Sequence, residues 1–145
     1  MRKTTFTLFV ALTLVVSGST TFAQGKQNVP QKITEYVAKH FPDNPITKFE
    51  KDLEDGRVTY EVELRDNTEL EFNNKMEIIK IDSNSDSKTL PKSVIPKVVH
   101  DYVKANYPNN FVVKWEKERR GYEVELNNDI DLKIYNNGRK VYIDR

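Results

Sequence analysis

The five residues Tyr60-Glu61-Val62-Glu63-Leu64 return letter for letter as Tyr122-Glu123-Val124-Glu125-Leu126, which constrains the fold to two copies of one unit. Apolar and acidic residues alternate strictly in both copies. That is the period of a strand with one buried face and one wet face. Setting Pro42 against Pro108 extends the match backwards. It aligns Pro30 with Pro96, Tyr36 with Tyr102, Val37 with Val103, Phe41 with Tyr107 and Phe49 with Trp115. The first copy then carries four extra residues in the hairpin from Asp52 to Thr59, and the register resumes: Leu70 matches Leu132 and Ile81-Asp82 matches Ile143-Asp144.

Each copy is predicted to open with a helix. Ile33, Tyr36, Val37 and Phe41 recur at three- and four-residue steps, as do Val99, Tyr102, Val103 and Tyr107. Pro42 and Pro108 stop the helices, because the residue before a proline is pushed out of the α region. Pro91 and Pro96 do not fit one straight helix, so a short turn after Pro91 should precede the main helix near Pro96. Four strands follow each helix: 46–53, 58–64, 68–73 and 77–82, then 111–119, 122–127, 130–135 and 139–144. Asn137-Gly138 is the strongest of the turn signals between them. The plan is α+β: two tandem α-β4 repeats forming one antiparallel sheet with the helices packed on one face. Val58, Tyr60, Val62, Leu64, Leu70, Phe72, Ile79 and Ile81 should face the first helix. Tyr122, Val124, Leu126, Ile130, Leu132, Ile134, Val141 and Ile143 should face the second, with Phe49 and Trp115 joining the core.

The start of the chain has a different character. Arg2 and Lys3 precede an apolar run of about a dozen residues and a small-residue stretch ending at Ala23, the anatomy of a secretory signal peptide over 1–23. Residues 24–83 then form the first repeat, 84–89 a polar linker and 90–145 the second repeat. Without cysteine there is no lipidated amino terminus and no disulfide, so the product should be periplasmic or secreted, with no membrane anchor. Removing Arg2 and Lys3 takes the formal charge from +1 to −1, which argues against nucleic acid as a partner.

The pattern resembles the PepSY-like, β-lactamase-inhibitor-like domains of exported bacterial proteins. It does so through the Val29-Pro30 and Leu90-Pro91 openings, the Phe41-Pro42 and Tyr107-Pro108 helix exits, the paired Tyr-Glu-Val-Glu-Leu strands and the closing Ile-Asp pairs. The resemblance spans both copies and implies tandem α-β4 units, one continuous sheet and a non-enzymatic, protein-binding or inhibitor-like role. One departure is Met76, which stands where the second copy has the turn glycine Gly138.

Function is sought on the sheet face that the helices leave open. Strand pairing should set Glu63 opposite Glu69 and Glu61 opposite Glu71, with Lys48 and Lys80 relieving some of the repulsion. Such a face is a solvated surface, a docking surface for a basic patch or a cation site. The last hairpin should bring Lys133 beside Tyr142 and Tyr135 beside Lys140, a tyrosine–lysine patch suited to protein contact. Catalysis finds little support. His40 and His100 occupy non-equivalent positions, most serines of the exported part lie in the linker, and no metal-ligand spacing or Asp-x-Asp-x-Asp series is present. The expectation is therefore a non-catalytic module, without cofactor or metal, that binds an unidentified protein partner in the cell envelope. An inhibitor of an exported peptidase or β-lactamase, entering a cleft with the Asp52 to Thr59 hairpin, is one alternative; a carrier of a small ligand or cation is the other.

Overall fold

The structure, a computed structural model, describes residues 28–54, 56–138 and 141–144. The proposed signal peptide and Lys140 lie outside them. Helix α1 (Gln31–His40) is followed by strands β1 (Ile46–Glu54), β2 (Arg57–Leu64), β3 (Glu69–Asn73) and β4 (Ile78–Asp82). A single 3-10 turn (Lys92–Val94) then leads into α2 (Lys97–Asn106), and β5 (Val112–Glu118), β6 (Gly121–Leu126), β7 (Asp131–Tyr135) and β8 (Val141–Asp144) follow. The eight strands form one sheet in sequence order, every neighbouring pair antiparallel. The α+β plan of two α-β4 repeats in a single sheet is what the molecule adopts.

The two helices begin and end alike because their sequences do. Pro30 and Pro96 each stand just before the first helical residue, where a missing N–H costs nothing. At the other end the amides of Phe41 and Tyr107 close on the carbonyls of Val37 and Val103, and the following prolines allow no further turn. Ile33, Val37, Val99 and Val103 are buried, so both stripes lie on the sheet. Beneath them Val62, Leu64, Leu70, Phe72, Ile81, Val124, Leu126, Leu132 and Ile134 form one continuous core with Trp115 and Phe49. The start of the second repeat enters the same core through Leu90 and Val94.

Three of the residues expected in the core behave differently. The β3–β4 register slips between Glu71 and Phe72, so that Phe72 pairs with Ile78 and Ile79 falls in the bulge. Ile78, not Ile79, packs on the core. Ile143 pairs with the buried Leu132 but is 47% exposed, because β8 is an edge strand with no neighbour on its outer side among the described residues. Val58 is only half-buried, near the tip of the β1–β2 hairpin.

Candidate functional site: the open sheet face

The helices occupy one side of the sheet, and no described residue covers the other. Antiparallel register carries two rows of side chains straight across it. One runs Lys48, Glu63, Glu69, Asp82, Lys114, Glu125, Asp131; the other runs Glu50, Glu61, Glu71, Lys80, Glu116, Glu123, Lys133, Tyr142. Carboxylates outnumber lysines ten to four in these rows, in a chain whose formal charge is +1 overall. Acid is therefore concentrated on this face. Arg57, Lys75, Arg119 and Arg120 lie instead at the hairpin ends.

Glu63 stands opposite Glu69 and Glu61 opposite Glu71, as the sequence predicts. The acidic run is longer than that reading allowed. Glu116, Glu123, Glu125 and Asp131 extend it through the second copy. The signal was present in the repeat, since Glu123 and Glu125 echo Glu61 and Glu63. Lysines answer part of the charge: Lys48 meets Glu50 at 2.9 Å, Lys114 meets Asp82 at 3.4 Å and Lys133 meets Glu123 at 3.4 Å. What remains shows in the acidities. Desolvation raises the pKa of Glu71, and Glu116, Glu61 and Asp52 add to the rise against the pull of Lys80. Glu125 is raised in the same way, by desolvation and then by Asp131, Asp82 and Asp86 against Lys114. The face favours an incoming positive charge over a further negative one.

The last hairpin adds an aromatic corner. Lys133 and Tyr142 are register partners, and the rings of Tyr135 and Tyr142 meet edge to face at 6.1 Å. Tyr142 is 58% exposed. The pairing of Tyr135 with Lys140 lies outside the described residues. Leu53 of β1 is also exposed, but it pairs with Val58 and so lies on the helix side of the sheet.

Two juxtapositions were not anticipated. Asp86 of the linker, Glu125 of β6 and Asp129 of the β6–β7 turn bring one carboxylate oxygen each within 4.8 Å of one another. Asp86 comes from a segment distant in sequence from Glu125 and Asp129, so no local spacing announces the group. His40 Nδ1 lies 3.0 Å from Ser93 Oγ, but no carboxylate among the described residues bonds that ring to orient it. Desolvation and Lys39 lower the His40 pKa.

Fold and face together define a class: a tandem-repeat sheet module with one helix-covered side and one charged, uncovered side. The sequence matches the family described as "Putative beta-lactamase-inhibitor-like, PepSY-like" over residues 21–80 and again over 59–140, and the chain belongs to that family. Three solved structures are similar, each with a TM-score of 0.73 and each covering 81% of this chain. Two come from Bacteroides vulgatus: one described as a "putative periplasmic protein" of the DUF2874 family, 26% identical over 91% of its length, and one described as a "putative periplasmic protein of unknown function", 31% identical over 93%. The third, from Bacteroides thetaiotaomicron, is 27% identical over 91% of its length and is described as a "putative calcium-regulated periplasmic protein". A comparison with curated proteins finds no match.

Proposed function

We propose that this is an exported, non-catalytic binding module of the cell envelope whose open sheet face takes up a cationic segment of a protein partner. Export rests on the amino-terminal pattern of residues 1–23, and the periplasmic descriptions of the similar structures support it. The observation that carries the reading is the pair of acidic rows on a face that no described residue covers. Exposed like charges directly opposite one another cost about 0.2–1 kcal/mol a pair, and a partner's lysines or arginines would recover that cost on binding. Tyr135 and Tyr142 supply contact area beside the charge. The test is capture from envelope extract by the wild type and by a Glu61→Gln/Glu71→Gln/Glu123→Gln variant at low and high salt. Capture that fails in the variant and weakens with salt supports the reading. Capture indifferent to both overturns it.

A second reading, that calcium tunes this face, has one observation of its own. The Asp86, Glu125 and Asp129 oxygens converge at the end of the acidic row, and one similar structure is described as calcium-regulated. Calcium takes six to eight oxygens. Three carboxylates fit that chemistry only in part, with backbone oxygens or water completing the set, so a weak site is expected. Calorimetry with calcium on the wild type and on Asp129→Asn decides it: heat lost in the variant supports the site, and no heat in either removes it.

A further inference from the structure

The β4–β5 seam joins the two repeats inside the molecule, with Lys80 opposite Glu116, Ile81 opposite Trp115 and Asp82 opposite Lys114. By the repeat, β8 is the counterpart of β4 and β1 is the counterpart of β5. Both are edges of the sheet, and among the described residues nothing pairs with their outer sides. We propose that β8 of one molecule pairs with β1 of a second copy in the register of the internal seam. Tyr142 then stands opposite Glu50, Ile143 opposite Phe49 and Asp144 opposite Lys48.

The exposures point to the same place. Ile81 is 0% exposed within the seam, while its counterpart Ile143 is 47% exposed at the free edge. Among the described residues, the large apolar ones that stay exposed, Leu53, Tyr142 and Ile143, all lie on these two edge strands. A free edge displaying apolar side chains is a template for another strand, and here the register that template imposes already exists in the same fold. The contact joins unlike surfaces, so it builds a row of molecules and not a closed pair. The internal seam is also sealed by buried Leu90 and Val94, where the equivalent positions of the sequence carry Gln24 and Asn28. The seam between molecules is accordingly the weaker, with dissociation expected at about 0.1–1 mM.

The chain has no cysteine, which makes the test clean. Glu50→Cys and Tyr142→Cys proteins, mixed and oxidised with diamide, should give the mixed disulfide, and the double variant a ladder of covalent oligomers. A Ser87→Cys protein is the control for random collision. Sedimentation of the wild type should show association that rises with concentration, and Ile143→Lys, with unchanged circular dichroism, should remain monomeric. Cross-linking no better than the control, Tyr142→Cys joining only to itself, or a wild type monomeric at about 1 mM would each overturn the proposal.

Discussion

Trp115 sits at the middle of the seam, 3% exposed, with its ring edge-on to Tyr122 at 5.8 Å, and its buried indole N–H meets no acceptor among the described residues. The equivalent residue, Phe49, fills the matching place with no donor to satisfy. An unsatisfied buried donor costs about 1–3 kcal/mol, comparable with the packing lost when indole shrinks to phenyl. Trp115→Phe should therefore change stability in urea by no more than about 1 kcal/mol, whereas Trp115→Ala should cost about 3–5 kcal/mol. Gly121 is the opposite case. A Cβ there would lie 2.1 Å from the carbonyl oxygen of Ile134, backbone against backbone, so neither strand can yield cheaply. Gly121→Ala should cost on the order of 3 kcal/mol by the same measurement, at the upper end of what forced overpacking does. Nothing in the sequence marks that approach, since the aligned residue of the first copy is Thr59. The Met76 turn departs from the glycine rule without changing shape. Met76 has φ 61° and Gly138 φ 64°, and Asn73 Oδ1 holds the Met76 turn by accepting from the amides of Lys75 and Glu77.

At the scale of elements, the polar stretch between the repeats is pinned and not merely a spacer. Lys88 Nζ reaches the Asp66 carbonyl at 3.0 Å, Thr68 Oγ1 at 2.9 Å and the Asp66 carboxylate at 2.8 Å, tying the linker to the β2–β3 turn. Burial alone would raise the Asp66 pKa, but Lys88, Asn44 and Thr68 outweigh it and hold the group well below the usual carboxylate range. A depressed folded-state pKa stabilises fully above the unfolded value of about 4, and that stabilisation is lost as pH falls through the folded value. Lys88→Met should cost about 1–2 kcal/mol at pH 7, and its stability should fall less steeply than the wild type's below about pH 4. Denaturant titrations at several pH values check this. A variant curve parallel to the wild type would deny the coupling. The strands and helices were legible because their apolar periods are local properties of the chain. The bulge at Ile79, the pinned linker and the Asp86–Glu125–Asp129 group were not, because each depends on which distant segment arrives opposite. The acidic face was half legible: alternation gave Glu61 and Glu63 their side of the sheet, but only the pairing of eight strands aligned them into rows.

At the scale of the whole molecule, the repeats are one folding unit. The core cluster runs without a break from Ile33 and Phe72 through Ile81 and Trp115 to Val99 and Leu132. Ile81 and Trp115 belong to different repeats yet bury each other across β4–β5, and Leu90, just after the linker, donates its amide to the carbonyl of Val112. Separating the halves would strip that seam and leave each with about 60 residues, a size at which a single apolar core is marginal without disulfides. The chain has no cysteine to supply them. Two tandem repeats would melt in two transitions if they were independent, but buried contact across the seam makes the unfolding of either half expose the core of the other. Scanning calorimetry at neutral pH should therefore give a single transition whose calorimetric enthalpy equals its van't Hoff enthalpy. A calorimetric value near twice the van't Hoff value would mean that the halves melt independently. Ile81→Ala, at the centre of the seam, should lower the midpoint of the one transition by roughly 10 °C or more if it costs the usual 2–5 kcal/mol of a buried aliphatic truncation. It should not split the transition in two.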